Sequence, residues 1–238
     1  MLNVNIEDFV RKTSQKDLAK RIDHTMLKPN AGLEQLERVC HEALKYGFVA
    51  CVVPPWFVEK AKSIVGDSVK VVTVIGFPHG NTTKRAKLAE ARDVLEKGAR
   101  EIDMVMNINA FKSELYEIVE SEIAEIVDIA REYNALVKVI IETAYLTDEG
   151  KIKAALISKK AGADYVKTST GFAGRGATIH DVILLKKAVG DSMKVKAAGG
   201  IRHLEDAVAM ILAGADRIGT SSGVQIIEEY LKLRKSLK

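Results

Sequence analysis

Residues 136–143, LVKVIIET, decide the reading of this chain together with two partner stretches, 164–171, DYVKTSTG, and 193–201, MKVKAAGGI. Each is an apolar, strand-like run, and Lys138, Lys167 and Lys196 lie at equal spacing inside them. The intervals are 167 − 138 = 29 and 196 − 167 = 29 residues. A parallel strand, its crossover helix and two loops take roughly 30 residues. The spacing therefore predicts three successive βα units, each with a lysine on its strand. An ammonium group in a strand buried on both faces costs several kcal/mol unless it is paired. One such lysine is explained by snorkelling from a sheet edge. Three in register concentrate positive charge in one small volume and point to carbonyl chemistry by an activated amine.

Outward from these runs, apolar strands and amphipathic helices alternate along the whole chain. Strands are expected at Arg21–His24, Phe48–Val53, Val69–Gly76, Glu101–Asn107, Leu136–Glu142, Asp164–Thr168, Met193–Ala198 and Arg217–Thr220. Helices are expected at Leu33–Tyr46, Thr83–Lys97, Ser113–Tyr133, Thr147–Ala161, Thr178–Val189 and Leu204–Ala213. A further helix, Ile6–Ala19, precedes the first strand with Asn5 as its N-cap. Eight units in 238 residues give about 30 each, which predicts one α/β domain over 1–238 folded as a (β/α)8 TIM barrel with an extra N-terminal helix. A doubly wound sheet also explains the alternation, but it accounts less well for eight units without a dinucleotide fingerprint.

Composition narrows the function. Hydrophobic residues make up 47% of the chain and charged residues 29%, enough for a large core and a polar surface. The net charge of +4 is scattered, and only 5% of residues are aromatic, which leaves little stacking surface for nucleic acid. No apolar run approaches the roughly 18 residues of a membrane helix. The N-terminus MLNVNIEDFVRK lacks an apolar signal core, and Cys40 and Cys51 form neither a CxxC pair nor a disulfide framework. These features predict a cytoplasmic protein acting on a small anion.

A weak internal repeat adds detail. AGADYVKTSTG at 161–171, AGADRIGTSSG at 213–223 and KGAREIDMVMN at 97–107 each place a helix-ending glycine five residues before Lys167, Gly219 and Asp103. One structural position thus carries a base or nucleophile, a space-making glycine and an acid. The loops after the last two strands, Ala197–Gly200 and Gly219–Gly223, are glycine- and serine-rich, as a phosphate cradle at this end of a barrel requires. The segment 171–176, GFAGRG, lacks the GK[ST] of a nucleotide loop and reads as substrate-facing. The histidines show no metal-ligand spacing, so neither metal nor cofactor is expected. Cys51 alternates with Val49 and Val53 and either faces inward or serves as a small buried apolar residue. Trp56 and Phe57 are expected to begin a helix packed on the barrel exterior. Glu142, at the end of the fifth strand, either pairs with a lysine or takes part in catalysis.

The strings DHTMLKP, GFPHG, EIDMVMN, VKVIIET, YVKTSTGF, VKAAGGIR and GTSSG occur in order from the first strand to the eighth. Together they closely resemble the deoxyribose-phosphate aldolase family over nearly the whole chain. The resemblance implies a metal-independent class I aldolase that reversibly cleaves 2-deoxy-D-ribose 5-phosphate to acetaldehyde and D-glyceraldehyde 3-phosphate. It makes Lys167 the Schiff-base residue, Lys196 the lysine that perturbs it, and Asp103 part of the proton relay. Spacing alone does not choose between Lys167 and Lys196. The substrate phosphate is then expected among Gly171, Gly199, Gly200, Gly219, Ser221 and Ser222, and Cys51, Lys138 and Thr170 complete the candidate substrate-binding set. A homo-oligomer, dimer or tetramer, is expected. Some members of the family end in a flexible tail with a terminal tyrosine; this chain ends LKLRKSLK, with Tyr230 inside the last expected helix. Water held by Asp103 and a lysine would serve instead.

An ordinary lysine has a pKa near 10.4 and is almost wholly protonated at neutral pH. Two ammonium groups about 6 Å apart at an effective dielectric near 20 repel by roughly 3 kcal/mol, or about 2 pKa units. Lys196 is therefore expected to activate Lys167, with desolvation acting in the same direction. Two other functions fit the same barrel: a phosphosugar isomerase, which would need a carboxylate or histidine base and not three strand lysines, and a non-catalytic phosphosugar-binding regulator.

Overall fold

The computed structural model describes residues 4–237; residues 1–3 and Lys238, part of the expected 1–238 domain, lie outside them. Eight parallel strands close in sequence order into a barrel: β1 (Ile22–Thr25), β2 (Ala50–Val53), β3 (Lys70–Ile75), β4 (Glu101–Val105), β5 (Leu136–Ile140), β6 (Tyr165–Lys167), β7 (Lys194–Ala198) and β8 (Arg217–Thr220). Around them run α1 (Ile6–Lys12), α2 (Gln15–Ala19), α3 (Leu33–Tyr46), α4 (Val58–Val65), α5 (Lys84–Glu96), α6 (Ile108–Lys112), α7 (Tyr116–Glu132), α8 (Asp148–Lys160), α9 (Ile179–Val189), α10 (Leu204–Leu212) and α11 (Gly223–Ser236). This is the TIM barrel the sequence predicts. No helix among the described residues is long and apolar enough to cross a membrane.

Local chemistry explains where element boundaries differ from expectation. The N-terminal helix is two helices, because Ser14 caps a new start: its hydroxyl accepts from the Asp17 amide at 3.1 Å while Asp17 reaches back to Ser14. Strand β4 stops at Val105 because Asn107 caps α6, accepting from the Ala110 amide at 3.0 Å. The expected helix over 113–133 begins only at Tyr116, since Glu114 takes a positive φ of 61°. Strand β5 ends at Ile140, two residues early, where the chain turns through Glu142 at φ 50°. Trp56 does not pack on the barrel. It is 85% exposed in a short 3-10 turn, Pro55–Phe57, ahead of α4.

The large apolar core lies between barrel and helices, joining residues such as Cys51, Val53 and Val71 to Val39 and Cys40 of α3. Ala50, Val52 and Val72 form a separate apolar cluster with Leu27 and Val49. Because side chains alternate along a strand, this cluster sits on the inner faces of β2 and β3, opposite the outward-facing Cys51. Much of the rest of the interior is charged. By register Asp23 lies beside Gly219, Asp103 beside Lys138, Lys167 beside Lys196, and Lys196 beside Arg217.

Candidate active site

The three strand lysines converge on one carboxylate. Asp103 Oδ2 accepts from Lys167 Nζ at 2.7 Å and from Lys196 Nζ at 2.7 Å, while Oδ1 accepts from Lys138 Nζ at 2.9 Å. All four side chains are essentially buried. Lys138 also meets Glu101 at 2.5 Å and lies 4.0 Å from Asp23, and Lys196 meets Asp23 at 2.5 Å. Arg217 closes the network by donating through Nε to Asp23 at 2.7 Å and through Nη2 to Glu101 at 3.2 Å. Lys70, half-exposed below, binds the second oxygen of Glu101 at 2.8 Å.

The enclosed groups are therefore three carboxylates (Asp23, Glu101, Asp103) and four bases (Lys138, Lys167, Lys196, Arg217). With every base protonated the cluster carries one excess positive charge, and losing one proton neutralises it. Lys167 is the base best placed to lose it: its pKa falls to about 8. Burial is the largest cause, opposed by Asp103 and assisted by the charge on Lys196. Lys196 and desolvation thus act in the same direction, as expected, and desolvation is the larger of the two. Lys138 moves the other way. Burial alone would lower its pKa, but Asp103, Glu101 and Asp23 outweigh that and raise it. Asp103 is held well below the usual carboxylate range by Lys138, Lys167 and Lys196, although burial opposes them.

Above this cluster opens a cavity of about 750 Å³ with Lys167 in its wall. Thr170, Gly171, Gly199, Gly200, Gly219 and Ser221 line it, as expected; Ser222 does not, and its amide donates to Thr220 Oγ1 at 2.9 Å. Cys51 and Lys138 are corrections. Cys51 faces α3, where a hydrogen bond with Cys40 and then burial push its thiol pKa up, and Lys138 lies beneath the cavity among carboxylates. Neither lines the cavity. Gly219 does make space: a Cβ there would lie 3.1 Å from Lys196 Cε. The glycines of the β6 and β7 loops pack on each other, and a Cβ on Gly176 would fall 2.1 Å from the Gly199 carbonyl oxygen. At the same rim α11 begins at Gly223 with no side-chain cap at Ser222. Its first amides are available to an anion.

Asp23, Glu101 and Arg217 were not singled out by sequence reasoning, nor were the basic wall residues Lys28, Arg38 and Arg202. The signal for the first three was present: a charge inside an apolar strand, the same test that found the lysines. Among the described residues Glu142 pairs with no lysine; its Oε2 accepts from the Thr170 amide at 3.1 Å and the Thr170 hydroxyl at 2.5 Å.

A TIM barrel whose cavity has a buried lysine in its wall beside a glycine-rich rim is a frame that suits a carbon–carbon lyase. The chain belongs to the DeoC/LacD family of aldolases, which it matches over residues 17–229. It is 56% identical to a deoxyribose-phosphate aldolase of Thermococcus gammatolerans over 215 residues, 89% of this chain and 96% of that one. It is 53% identical to one of Caldanaerobacter subterraneus subsp. tengcongensis over 224 residues, 93% and 97% of the two chains. Among solved structures it resembles a tetrameric deoxyribose phosphate aldolase of Aeropyrum pernix, with a TM-score of 0.88 and 40% identity, covering 96% of this chain and 97% of the other.

Proposed function

We propose that this aldolase cleaves 2-deoxy-D-ribose 5-phosphate to acetaldehyde and D-glyceraldehyde 3-phosphate through a Schiff base on Lys167. The observation that carries the assignment is that Lys167, alone of the three strand lysines, lines the cavity, and burial lowers its pKa while neighbouring carboxylates raise that of Lys138 beneath it. A pKa of about 8 leaves roughly one-tenth of Lys167 as free amine at pH 7, against less than one-thousandth for an ordinary lysine.

The amine adds to the C1 aldehyde of the open-chain sugar, and loss of water gives a protonated imine. Asp103, 2.7 Å from the lysine nitrogen, balances the positive charge that persists there. The imine accepts the electron pair of the C2–C3 bond as the C3 hydroxyl gives up its proton, which releases glyceraldehyde 3-phosphate and leaves an enamine. Protonation at C2 and hydrolysis release acetaldehyde and restore the amine. Three ammonium neighbours make Asp103 a weak base, so its part in the relay is to hold Lys196 and water in place. The proton itself moves on the Lys196 nitrogen and that water. The phosphate is anchored by the Gly171, Gly199–Gly200 and Gly219–Ser221 loops and the open N-terminus of α11. No residue of this scheme calls for a metal or a cofactor. A cytoplasmic location fits a phosphorylated substrate, and assembly into a dimer or tetramer fits the Aeropyrum pernix relative.

The test is borohydride reduction in the presence of acetaldehyde. The aldolase leaves a stable alkylated lysine, whereas an isomerase or a phosphosugar-binding regulator leaves none.

A further inference from the structure

Three non-glycine residues have a positive φ among the described residues: Glu114, Asn134 and Glu142. The first two are exposed at helix boundaries, where the left-handed conformation ends or redirects a helix. Glu142 is buried, carries a φ of 50° at the catalytic end of β5, and has one carboxylate oxygen, Oε1, without a hydrogen-bond partner. Strained backbone and an unpaired buried oxygen persist only where surrounding contacts enforce them. Here the contact is with Thr170, a wall residue of the cavity three positions beyond Lys167.

The hydrogen bonds of the Thr170 hydroxyl can be counted. A threonine hydroxyl has one proton and two acceptor sites, and a carboxylate only accepts. The proton goes to Glu142 Oε2 at 2.5 Å, and one acceptor site takes the Phe172 amide at 3.0 Å. What remains is a single lone pair. We propose that Glu142 is a positioning residue: by capturing the proton of Thr170 it fixes that hydroxyl as an acceptor, and so makes the cavity selective for substrates that bring a hydroxyl donor.

The inference rests on the aldolase reading, which also identifies the donor. Thr170 sits between Lys167, which takes C1, and Gly171, which belongs to the phosphate cradle. The C3 hydroxyl loses its proton in the reaction, so the hydroxyl left to be read is on C4. In the synthetic direction this is the C2 hydroxyl of D-glyceraldehyde 3-phosphate. A site built to pair with a hydroxyl rejects the analogue that lacks it, because its own polar group is left unpaired.

The experiment measures condensation of acetaldehyde with two acceptors, D-glyceraldehyde 3-phosphate and 3-oxopropyl phosphate, which lacks the C2 hydroxyl. The readout is the ratio of their kcat/KM values. Glu142→Met frees the Thr170 proton, and the ratio should fall at least about tenfold, while Glu142→Gln, whose amide oxygen still accepts from Thr170, should stay within about threefold of wild type. Thr170→Val should lower the ratio on its own, and adding Glu142→Met to it should lower the ratio no further. A fall of equal size for both acceptors would make Glu142 a structural residue and overturn the proposal, as would an unchanged ratio in Thr170→Val, the variant that decides the matter should Glu142→Met not fold. Acetaldehyde carries no hydroxyl, so its trapping by borohydride should persist in the Glu142 variants. Absence of trapping in the unmodified protein would strike the aldolase reading instead.

Discussion

Lys138 and Lys167 occupy two levels of the same barrel interior and are almost equally buried, yet their pKa values are pushed in opposite directions. The lower level, around Lys138, holds as many carboxylates as the lysine can reach: Glu101 at 2.5 Å, Asp103 at 2.9 Å and Asp23 at 4.0 Å. The upper level gives Lys167 only Asp103, and Lys196 shares the same oxygen. Burial penalises both ammonium groups. What differs is the number of anions each one can claim. Reactivity in this barrel is thus set by withholding a counter-ion from one lysine, after the others have been given theirs.

Removing each lysine in turn tests this contrast. The largest effect is expected for Lys167→Leu, which should abolish cleavage of 2-deoxyribose 5-phosphate while the protein keeps its stability in urea. Asp103 retains Lys138 and Lys196, and the cluster loses its excess charge, so an apolar residue of similar length is tolerated. Activity within tenfold of wild type would remove Lys167 from the chemistry. Lys138→Leu should instead lose about 3–5 kcal/mol of stability, because it strips a cation from three buried carboxylates and leaves Asp103 Oδ1 without a donor. Equal stability of the two variants in urea denaturation would show that the levels do not differ as described.

Lys196→Leu removes the cation that competes for Asp103 and leaves three carboxylates facing three bases, so Lys167 keeps its proton. An upward shift of about 2 pKa units would cut the free amine at pH 7 roughly a hundredfold. Borohydride trapping of acetaldehyde should be correspondingly slow and should rise with pH well past the wild-type curve, which levels off above its inflection near pH 8. The sign follows from the charge: raising pH deprotonates an amine, so the variant needs a higher pH for the same reactive fraction. Trapping at the wild-type rate with cleavage still lost would assign Lys196 to proton transfer alone. The smallest effect is expected at the rim. Ser221→Asp with Ser222→Asp should raise KM for 2-deoxyribose 5-phosphate by about tenfold or more through like-charge repulsion, while turnover of unphosphorylated 2-deoxyribose changes far less. Equal losses on both substrates would move the phosphate elsewhere.

Much of this arrangement was legible in the sequence because it follows the chain's repeat. The 29-residue interval aligned Lys138, Lys167 and Lys196, and the helix-ending glycines at 98, 162 and 214, all with positive φ, placed Asp103, Lys167 and Gly219 at equivalent points. The direction of Cys51 was not legible, since alternation gives two faces and not which one turns inward. Nor were the separate roles of the lysines. Whether Lys138 or Lys167 is starved of carboxylates depends on Glu101, one strand back on β4, and on Asp23, which reaches the lower level only through closure of the barrel between β1 and β8. Of the two readings of Glu142, pairing with a lysine gives way to Thr170, a partner 28 residues ahead that the strand pattern does not name.

The central claim, that Lys167 and not one of the other two strand lysines is the nucleophile, is tested most directly by peptide mapping after borohydride reduction with acetaldehyde. A single ethyl group on Lys167, with Lys138 and Lys196 unmodified, is the predicted result. An ethyl group on Lys196 or Lys138 in the wild-type protein, or on none of the three, would contradict it.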